Sequence, residues 1–470
     1  MAVSDLSQRT VADAADGSAL PDDRQPRRYL VFAVVSVALF MASVDQTIVA
    51  TALGTLQRDL HAQVNWSSWT ITIYALGQIL VMPLAGRIGD QFGRRRVFLG
   101  AIVLFTVASL CCGLAGNIYV LVTLRAVQAV GGGAFMPSAT GIVADQFGRD
   151  RDRAIGLFTS IFPIGGIVGP VLGGLFVTYW SWRGIFLVNV PIGAVLFVLA
   201  LAFIPRTSRR VGGRVDLLGV GLLGIGLLAT MFAISSLGAD SSPVLVVVPL
   251  LIGALALFAF VRHSGRAADP FIPLRLLRGR GFAVLNLINF MYGVAVLGFA
   301  TLVPLYAEER YGLHTLAAGT LLTARAVGMI AVAGMATFAL RRTGYRRPML
   351  IGFVLSGIGL VLMALPPAGL SPYLWLAVGA AVTGIGMGIS TPATNNAIMH
   401  LAPADTGAVS GLRGMFRQSG GITGISVMTA VLAQSSDPGL TQAWALVVLT
   451  GILLCVLPLI WLVPEHRGSW

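Results

Sequence analysis

The chain of 470 residues is poor in charge, cysteine and histidine, and it contains no lysine. Only 11% of the residues are charged and 56% are hydrophobic, a composition that excludes an ordinary soluble globular protein. Its cysteines, Cys111, Cys112 and Cys455, form neither a disulfide framework nor a zinc-ligand spacing. The five histidines form no metal cluster, so we expect no metal or other cofactor.

The chain is instead rich in apolar stretches long enough to cross a bilayer. They fall near 29–52, 67–85, 97–115, 118–143, 154–177, 184–204, 215–237, 244–262, 282–306, 315–340, 348–366, 372–399, 411–434 and 441–463. Most match the ~20 residues that a ~30 Å hydrocarbon core requires. The alternative is a large soluble core, but 217–237 and 244–261 are apolar on every face. The sequence therefore predicts an all-α integral membrane protein with 14 transmembrane helices.

The positions of the arginines predict how these helices are oriented. One side of the predicted membrane receives Arg9, Arg24, Arg27, Arg28, Arg87, Arg94 to Arg96, Arg149, Arg151, Arg153, Arg206, Arg209, Arg210, Arg214, Arg262 to Arg280 and Arg341 to Arg347. The other side receives only Arg58, Arg183 and Arg310. By the positive-inside rule, both termini are cytoplasmic.

The net charge of +13 raises the question of nucleic acid as a partner. The charge is scattered over alternate short loops, so anionic membrane lipid explains it better than nucleic acid does. Residues 1–28 are polar and have no apolar core of the kind found in signal peptides. We predict that they form a short disordered cytoplasmic tail.

A single acidic residue, Asp45, lies deep inside an apolar run. An aspartate there costs roughly 2.5–3.5 kcal/mol on translocon scales, so such a residue usually persists for a function. Arg125, in the fourth run, is expected at a similar depth, because a helix rises about 1.5 Å per residue. If spans 1 and 4 are neighbours, the two side chains form a proton-coupling pair. The competing interpretation is a structural ion pair that locks two helices together.

The two halves of the chain carry related loops, which indicates an internal repeat. Span 2 is followed by Gly86-Arg-Ile-Gly-Asp90-Gln-Phe-Gly93 and three arginines, and span 10 by Leu340-Arg-Arg-Thr-Gly344-Tyr-Arg-Arg. Aligning Gly93 with Gly344 sets spans 1–6 against spans 9–14. The predicted domains are a six-helix bundle at 29–204, two inserted helices at 215–262, a cytoplasmic interfacial linker at 263–281, a second six-helix bundle at 282–463 and a cytoplasmic tail at 464–470.

Three motifs stand in a characteristic order along the chain. The loop after span 2 contains Gly86, Asp90, Gly93, Arg94 and Arg95; span 4 contains Arg125, Gln128 and Ala129; and span 5 contains Gly165, Gly169, Pro170, Gly173 and Gly174. Together they resemble the drug:proton antiporters of the major facilitator superfamily, in the fourteen-span branch, from Asp45 to about Met428. The one departure is Ala129, which stands where that family usually has glycine.

This resemblance implies a function and a role for each motif. The function is efflux of amphipathic drugs or antibiotics by alternating access, driven by the proton gradient, in a bacterial cytoplasmic membrane. The loop after span 2 is then a conformational latch, and the glycines of span 5, with a bend at Pro170, form a pivot. The expected partners are a small amphipathic substrate, protons and membrane lipids, with the protein a monomer and not an enzyme.

Four polar side chains are predicted to bind substrate: Gln46, Gln128, Arg325 and Asn395. For Gln128 a structural hydrogen bond between helices is an equal alternative, and for Arg325 the alternative is an ion pair with Glu308 or Glu309. The interior of spans 9–14 has no carboxylate, which disfavours dicationic substrates.

Two other functions remain open from the sequence alone. The first is a proton-coupled symporter that imports a small solute, against which the span 5 motif argues. The second is a membrane-embedded sensor or enzyme, for which the sequence offers neither a nucleophile–base pair nor a metal-ligand spacing.

Overall fold

A computed structural model describes residues 24–62, 64–206, 216–236, 243–267, 270, 272, 279–365, 369–402, 406–433 and 435–465, and within these ranges the chain is helical without strands. Within the predicted tails and linker, residues 1–23, 268–269, 271, 273–278 and 466–470 lie outside these ranges. The first helix begins at Arg24, so residues 24–28 are helical and the tail prediction is wrong there. The apolar run marks only the membrane-embedded part of a helix, whereas polar residues such as arginine also sustain one.

The first half of the chain forms eight helices. They are α1 Arg24–Asp59, α2 Val64–Phe92, α3 Arg94–Gly113, α4 Ile118–Phe147, α5 Arg151–Thr159, α6 Ile161–Tyr179, α7 Gly184–Leu187 and α8 Asn189–Phe203, with a 3₁₀ turn at Gly148–Asp150. Predicted span 5 corresponds to α5 with α6, and span 6 to α7 with α8. The hydrophobic core of this first half includes the buried rings of Phe98, Phe105 and Phe135.

The remaining described helices continue in the predicted order. They are α9 Leu217–Ser236, α10 Pro243–Ser264, α11 Arg280–Tyr311, α12 Thr315–Thr343, α13 Arg346–Ala364, α14 Pro372–Leu401, α15 Thr406–Ala433 and α16 Pro438–Ile460. Among the described residues, 12 helical segments are long and apolar enough to span a membrane. The helices α9 and α15 fall outside that number, and α15 contains Arg413 and Arg417. The count of 14 spans therefore stays a prediction.

The two halves repeat one contact pattern. Helix α1 packs on α6 as α11 packs on α15, and α2 packs on α4 as α12 packs on α14. Helix α3 lies between α4 and α8, as α13 lies between α14 and α16. This pattern follows the register obtained by aligning Gly93 with Gly344. The helices α9 and α10 pack on each other, and α9 also contacts α2 and α15.

The seam between the halves is formed by α2 and α4 against α15, and by α5 against α12 and α14. We call the end of the bundle where Arg94, Arg151 and Arg346 begin helices the arginine-rich end. Near this end, the backbone of α15 at Gly411 touches the backbone of Met82 in α2. The two halves are therefore in direct backbone contact there.

Predicted span 5 is interrupted at Ser160, where α5 ends and α6 begins. Pro163 explains the break, because its nitrogen has no hydrogen to donate to the carbonyl of Thr159, and its ring crowds that carbonyl. Helix α6 continues through Pro170 to Tyr179. The interruption of span 5 thus lies ten residues before Pro170, and the bend at Pro170 stays a prediction.

The predicted glycine stripe packs along α1. Gly165, Gly169 and Gly173 face α1, and a β-carbon on Gly169 would collide with the side chain of Thr47. Gly174 faces open space, so it takes no part in this packing. The hydroxyl of Ser43 donates to the carbonyl of Phe162 at 2.5 Å, which ties α1 to the first turn of α6. The close approach of the two helices requires glycine at the contact positions.

This packing predicts that Gly169→Leu lowers the melting temperature of the detergent-solubilised protein, because overpacking typically costs about 1–3 kcal/mol. Gly174→Leu is the matched control, since it adds the same side chain to the same helix in open space. The melting temperature is measured by heating samples of each variant and quantifying the remaining folded protein by size-exclusion chromatography. Equal melting temperatures for the two variants would contradict the close contact.

Candidate functional site

An ion pair between Asp45 of α1 and Arg125 of α4 lies at the centre of the first bundle. The Nη1 atom of Arg125 donates to Oδ2 of Asp45 at 2.7 Å, and both side chains are 0% exposed. The sequence-based expectation that the two residues lie at similar depth on neighbouring helices is therefore met by the geometry. Each buried charge compensates the other, which removes much of the cost of placing either in the bundle.

The second carboxylate oxygen of Asp45 is held by two amides. Oδ1 accepts from Nε2 of Gln128 at 3.0 Å and from Nδ2 of Asn189 at 3.1 Å. Both amides also donate to the hydroxyl of Ser109 in α3, at 2.5 and 3.2 Å respectively. Every one of these side chains is at most 3% exposed. One carboxylate thus joins α1, α3, α4 and α8 through polar contacts.

Arg125 extends the network to α2. Its Nε atom donates to the carbonyl of Thr70 at 3.1 Å, and its guanidinium carbon lies 4.0 Å from the ring centroid of Tyr74. The Nη2 atom is buried without a hydrogen-bond partner among the described residues. This atom is a donor that a substrate or a rearranged Asp45 can use, since an unpaired buried donor is costly.

The arrangement responds to protonation of one atom. As a carboxylate, Asp45 only accepts hydrogen bonds, and both of its oxygens have donors. A proton on the carboxylate would remove its negative charge, and its hydrogen bond with the Arg125 guanidinium would then lose part of its charge assistance.

Two predicted substrate residues lie beside this network with different outcomes. Gln128 is fully buried, accepts from Nη1 of Arg125 at 2.8 Å and donates to Asp45, so the structural alternative describes it in this conformation. Gln46 is half-buried, and the structure gives it no hydrogen bond to another described residue.

One of the predicted latch residues, Asp90, connects the halves at the arginine-rich end, and Arg94 binds it from within the first half. Asp90 accepts from Nε and Nη2 of Arg94 at 3.0 and 2.8 Å, and its other oxygen accepts from the backbone N–H of Ala408 in α15 at 3.1 Å. The Nη1 atom of Arg94 donates to Asp145 at 2.6 Å and to the carbonyl of Gly141 at 2.8 Å. Asp90 thus holds the first turn of α15 with a charge favoured at a helix N-terminus.

The other predicted latch residues behave differently. Gly93 has φ 101, a conformation that favours glycine, and it lets α3 begin directly after α2. Gly86 is buried in α2. Arg95 donates to the carbonyl of Leu201 in α8 at 2.6 Å, a contact within the first half. This contact holds α3 to α8, and a latch role for Arg95 stays a prediction.

A further set of contacts across the seam was not predicted from the sequence. Oδ2 of Asp152 lies 2.8 Å from Nε2 of His400, and the amide of Asn396 donates to the carbonyl of Asp152 at 3.1 Å. Asn395, predicted to bind substrate, donates to the hydroxyl of Thr159 at 3.0 Å and accepts from Arg413. In this conformation Asn395 is buried in the seam.

Arg325 does not form the ion pair that was the alternative to substrate binding. Its Nη1 atom donates to the carbonyl of Val296 at 3.0 Å, and its guanidinium lies 4.8 Å from the ring centroid of Phe299. Glu309 accepts from Nε2 of Gln442 at 2.7 Å instead. The guanidinium of Arg325 is thus left without a carboxylate among the described residues.

Sequence reasoning missed Asn189 as a partner of Asp45, and it missed Ser109 as the hydroxyl that both amides share. Asn189 is a polar residue at the start of the apolar helix α8. A polar residue in a membrane helix is unusual, but its presence does not identify the side chain that it binds. Ser109 carries no such signal, because a serine in a membrane helix often bonds its own backbone.

The ion pair predicts a non-additive effect on stability. Arg125→Ala leaves the carboxylate of Asp45 buried without its cation, and breaking a buried pair costs about 3–5 kcal/mol. Adding Asp45→Asn to it should recover part of the lost thermal stability, because no charge then remains uncompensated. Purified variants would be compared by melting temperature. Additive losses in the double variant would contradict the pairing.

The latch predicts that Asp90→Asn exposes the seam at the arginine-rich end. In a variant whose own cysteines are replaced by serine, we expect a Ser410→Cys thiol to react faster with maleimide once Asp90 is replaced. Ser410 is buried and donates to Thr140 across the seam at 3.2 Å. Asp145→Asn is the matched control, since Asp145 also binds Arg94 but is not bound to Ala408. Equal acceleration by both changes would exclude the Ala408 contact as the latch.

Comparisons with known proteins complete the description. The sequence model of the Major Facilitator Superfamily matches residues 35–425 and 285–470. The chain is 33% identical over 405 residues to the multidrug resistance protein B homolog of Mycobacterium tuberculosis, covering 85% of this chain and 75% of the relative. It is 31% identical over 409 residues to the methylenomycin A resistance protein of Streptomyces coelicolor, covering 86% and 85%.

A solved structure shares the fold. The crystal structure of the human organic anion transporter MFSD10 (TETRAN) matches with a TM-score of 0.68 at 16% sequence identity, covering 92% of this chain and 99% of that chain. At this identity the likeness concerns the fold alone. The resemblance read from the motifs is confirmed by the sequence matches, and the chain belongs to the Major Facilitator Superfamily.

Proposed function

We propose that the protein exports amphipathic drugs or antibiotics across a bacterial cytoplasmic membrane in exchange for protons. The observation that carries the proposal is the carboxylate of Asp45, completely buried and bound to Arg125, Gln128 and Asn189. A titratable group inside a membrane bundle points to ion movement by default. The relatives named for multidrug resistance and for methylenomycin A resistance support drugs or antibiotics as the substrate class.

The proton enters the mechanism as a change in the contacts of Asp45. In the deprotonated state, Asp45 holds α1 against α4 and α8. Protonation removes the charge that holds the guanidinium of Arg125, and the weakened contact makes this guanidinium available to another acceptor. Substrate and proton then favour different states of the first bundle, so binding of one disfavours binding of the other. Exchange of substrate for protons requires this competition.

The seam supplies the conformational part of the proposal. The hydrogen bonds of Asp90 with Ala408, Asp152 with His400, and Asn395 with Thr159 lie within about three turns of the arginine-rich end. The positive-inside rule assigns this end to the cytoplasm, where both termini then lie. The described conformation is thus closed toward the cytoplasm, and transport requires these contacts to open.

The proposal includes fourteen spans, with α9 and α15 added to the 12 helical segments that meet the length and hydropathy criteria. Helix α15 packs on α2 and α11, so its arginines are shielded from lipid by neighbouring helices. The proposed protein is a monomer that needs no cofactor beyond the proton gradient, and membrane lipids contact the arginines at its cytoplasmic surface.

Asp45→Asn is expected to abolish efflux driven by a pH gradient while leaving a folded, membrane-inserted protein. The substitution keeps the shape of the side chain and removes the titrating proton. The measurement is substrate movement in proteoliposomes after a pH jump. Asp59→Asn, an exposed change at the end of the same helix, is the matched control and should transport normally.

Full pH-driven transport by Asp45→Asn would refute the coupling role of Asp45. The direction of transport tests the rival function as well. Uphill movement of substrate against the direction of proton flow supports exchange, whereas movement together with protons would identify a symporter.

A further inference from the structure

Three arginines form a cluster inside the second bundle, and we call Arg325 of α12 with Arg413 and Arg417 of α15 the arginine cluster. The guanidinium of Arg325 donates to the carbonyl of Val296 and that of Arg417 lies over the ring of Tyr292, so both reach neighbouring turns of α11. Arg413 and Arg417 lie four residues apart, so they share one face of α15. Three like charges repel one another in this low-dielectric interior.

Among the described residues, the cluster has no compensating carboxylate. Between residues 280 and 460 the described acidic residues are Glu308, Glu309 and Asp437, all near helix ends. Glu309 binds Gln442, and Asp437 caps α16 by accepting from the N–H of Leu440. The buried arginines of the first bundle do have carboxylate partners. Arg125 pairs with Asp45, and Arg94 pairs with Asp90 and Asp145.

Each guanidinium of the cluster has N–H donors that make no hydrogen bond to a described residue. Arg413 is 1% exposed and donates to Asn395, yet its Nε and Nη2 atoms have no partner among the described residues. Arg325 makes one hydrogen bond, to the carbonyl of Val296. Arg417 makes no hydrogen bond to any residue that the structure describes, and its guanidinium lies 5.8 Å from the ring centroid of Tyr292. Uncompensated charge and unpaired donors inside a membrane bundle are costly, which indicates that these groups bind a ligand.

Aromatic rings surround the same cluster. The ring of Tyr292 lies beside the guanidinium of Arg417, and its hydroxyl lies 2.7 Å from that of Thr391. Phe299 lies beneath the guanidinium of Arg325. Fixed donors beside aromatic rings suit a molecule with one charged group and an apolar body.

We propose that Arg325 and Arg417, backed by Arg413, bind the negatively charged group of an amphipathic organic anion, such as an aromatic carboxylate or sulfonate. The inference deepens the proposed function and rests on it, since it names the class of substrate that the transporter carries. A cationic substrate meets three positive charges at this place, and an anion compensates them.

Binding to the solubilised protein tests the inference without a proton gradient. The probes are fluorescein, as its dianion, and rhodamine 123, a cation built on the same xanthene ring system. Fluorescence anisotropy in a non-ionic detergent gives both affinities. We expect fluorescein to bind at least tenfold more tightly than rhodamine 123.

Substitutions assign the preference to the cluster. Arg417→Gln and Arg325→Gln should each weaken fluorescein binding about tenfold, the effect of one lost charge-assisted hydrogen bond. They should leave rhodamine 123 binding unchanged or tighter, a result that misfolding would not produce. Arg417→Lys keeps the charge and should retain most of the preference. Arg342→Gln, an exposed change near the end of α12, is the matched control and should have no effect.

The outcomes separate this inference from the proposed function. Selective fluorescein binding that depends on Arg417, in a protein that shows no pH-driven transport, supports the anion site and contradicts proton-coupled export. Export of rhodamine 123 by a protein that binds fluorescein no more tightly overturns the anion site and leaves export standing. Fluorescein binding that survives both glutamine variants also overturns the anion site.

Discussion

The contact between Asp45 and Arg125 fixes the first bundle, because neither charge is stable there without the other. Once α1 and α4 are joined by this pair, the remaining acceptor oxygen of Asp45 draws in Gln128 and Asn189, and these amides draw in Ser109 of α3. The other side of Arg125 reaches α2 through the carbonyl of Thr70. Most helices of the bundle therefore meet through polar contacts that begin at one carboxylate, and its protonation state bears on all of them.

Sequence reasoning located the elements better than the contacts between them. Apolar run length gives the position of a membrane helix, and residue spacing gives depth along it, which is why Asp45 and Arg125 could be placed at one level. Neither quantity says which faces meet, so the contact of Asn189 with Asp45 and that of Ser109 with the two amides were missed. The interruption of span 5 near Pro163 was also missed, whereas α6 continues through Pro170 while it packs on α1 from Gly165 to Gly173.

The two bundles share a contact pattern but differ in charge. In the first bundle each deeply buried arginine has an aspartate, so the interior is close to neutral. In the second bundle Arg325, Arg413 and Arg417 have none among the described residues, so the interior is positive. The repeat keeps the helix packing, but the interior side chains of the two bundles differ. As a result, the proposed proton site lies in the first bundle and the proposed anion site in the second.

The two sites are connected to the seam by single side chains and rigid helices. Asn395 accepts from Arg413 of the arginine cluster and donates to Thr159 across the seam. An anion that draws Arg413 away from Asn395 thereby frees one end of a contact that keeps the halves closed. On the proton side, α4 carries Arg125 near one end and Thr140, which binds Ser410 across the seam, near the other. Because a helix moves as a unit, loosening of Asp45 from Arg125 and loss of the Asn395 contact act on the same closed end.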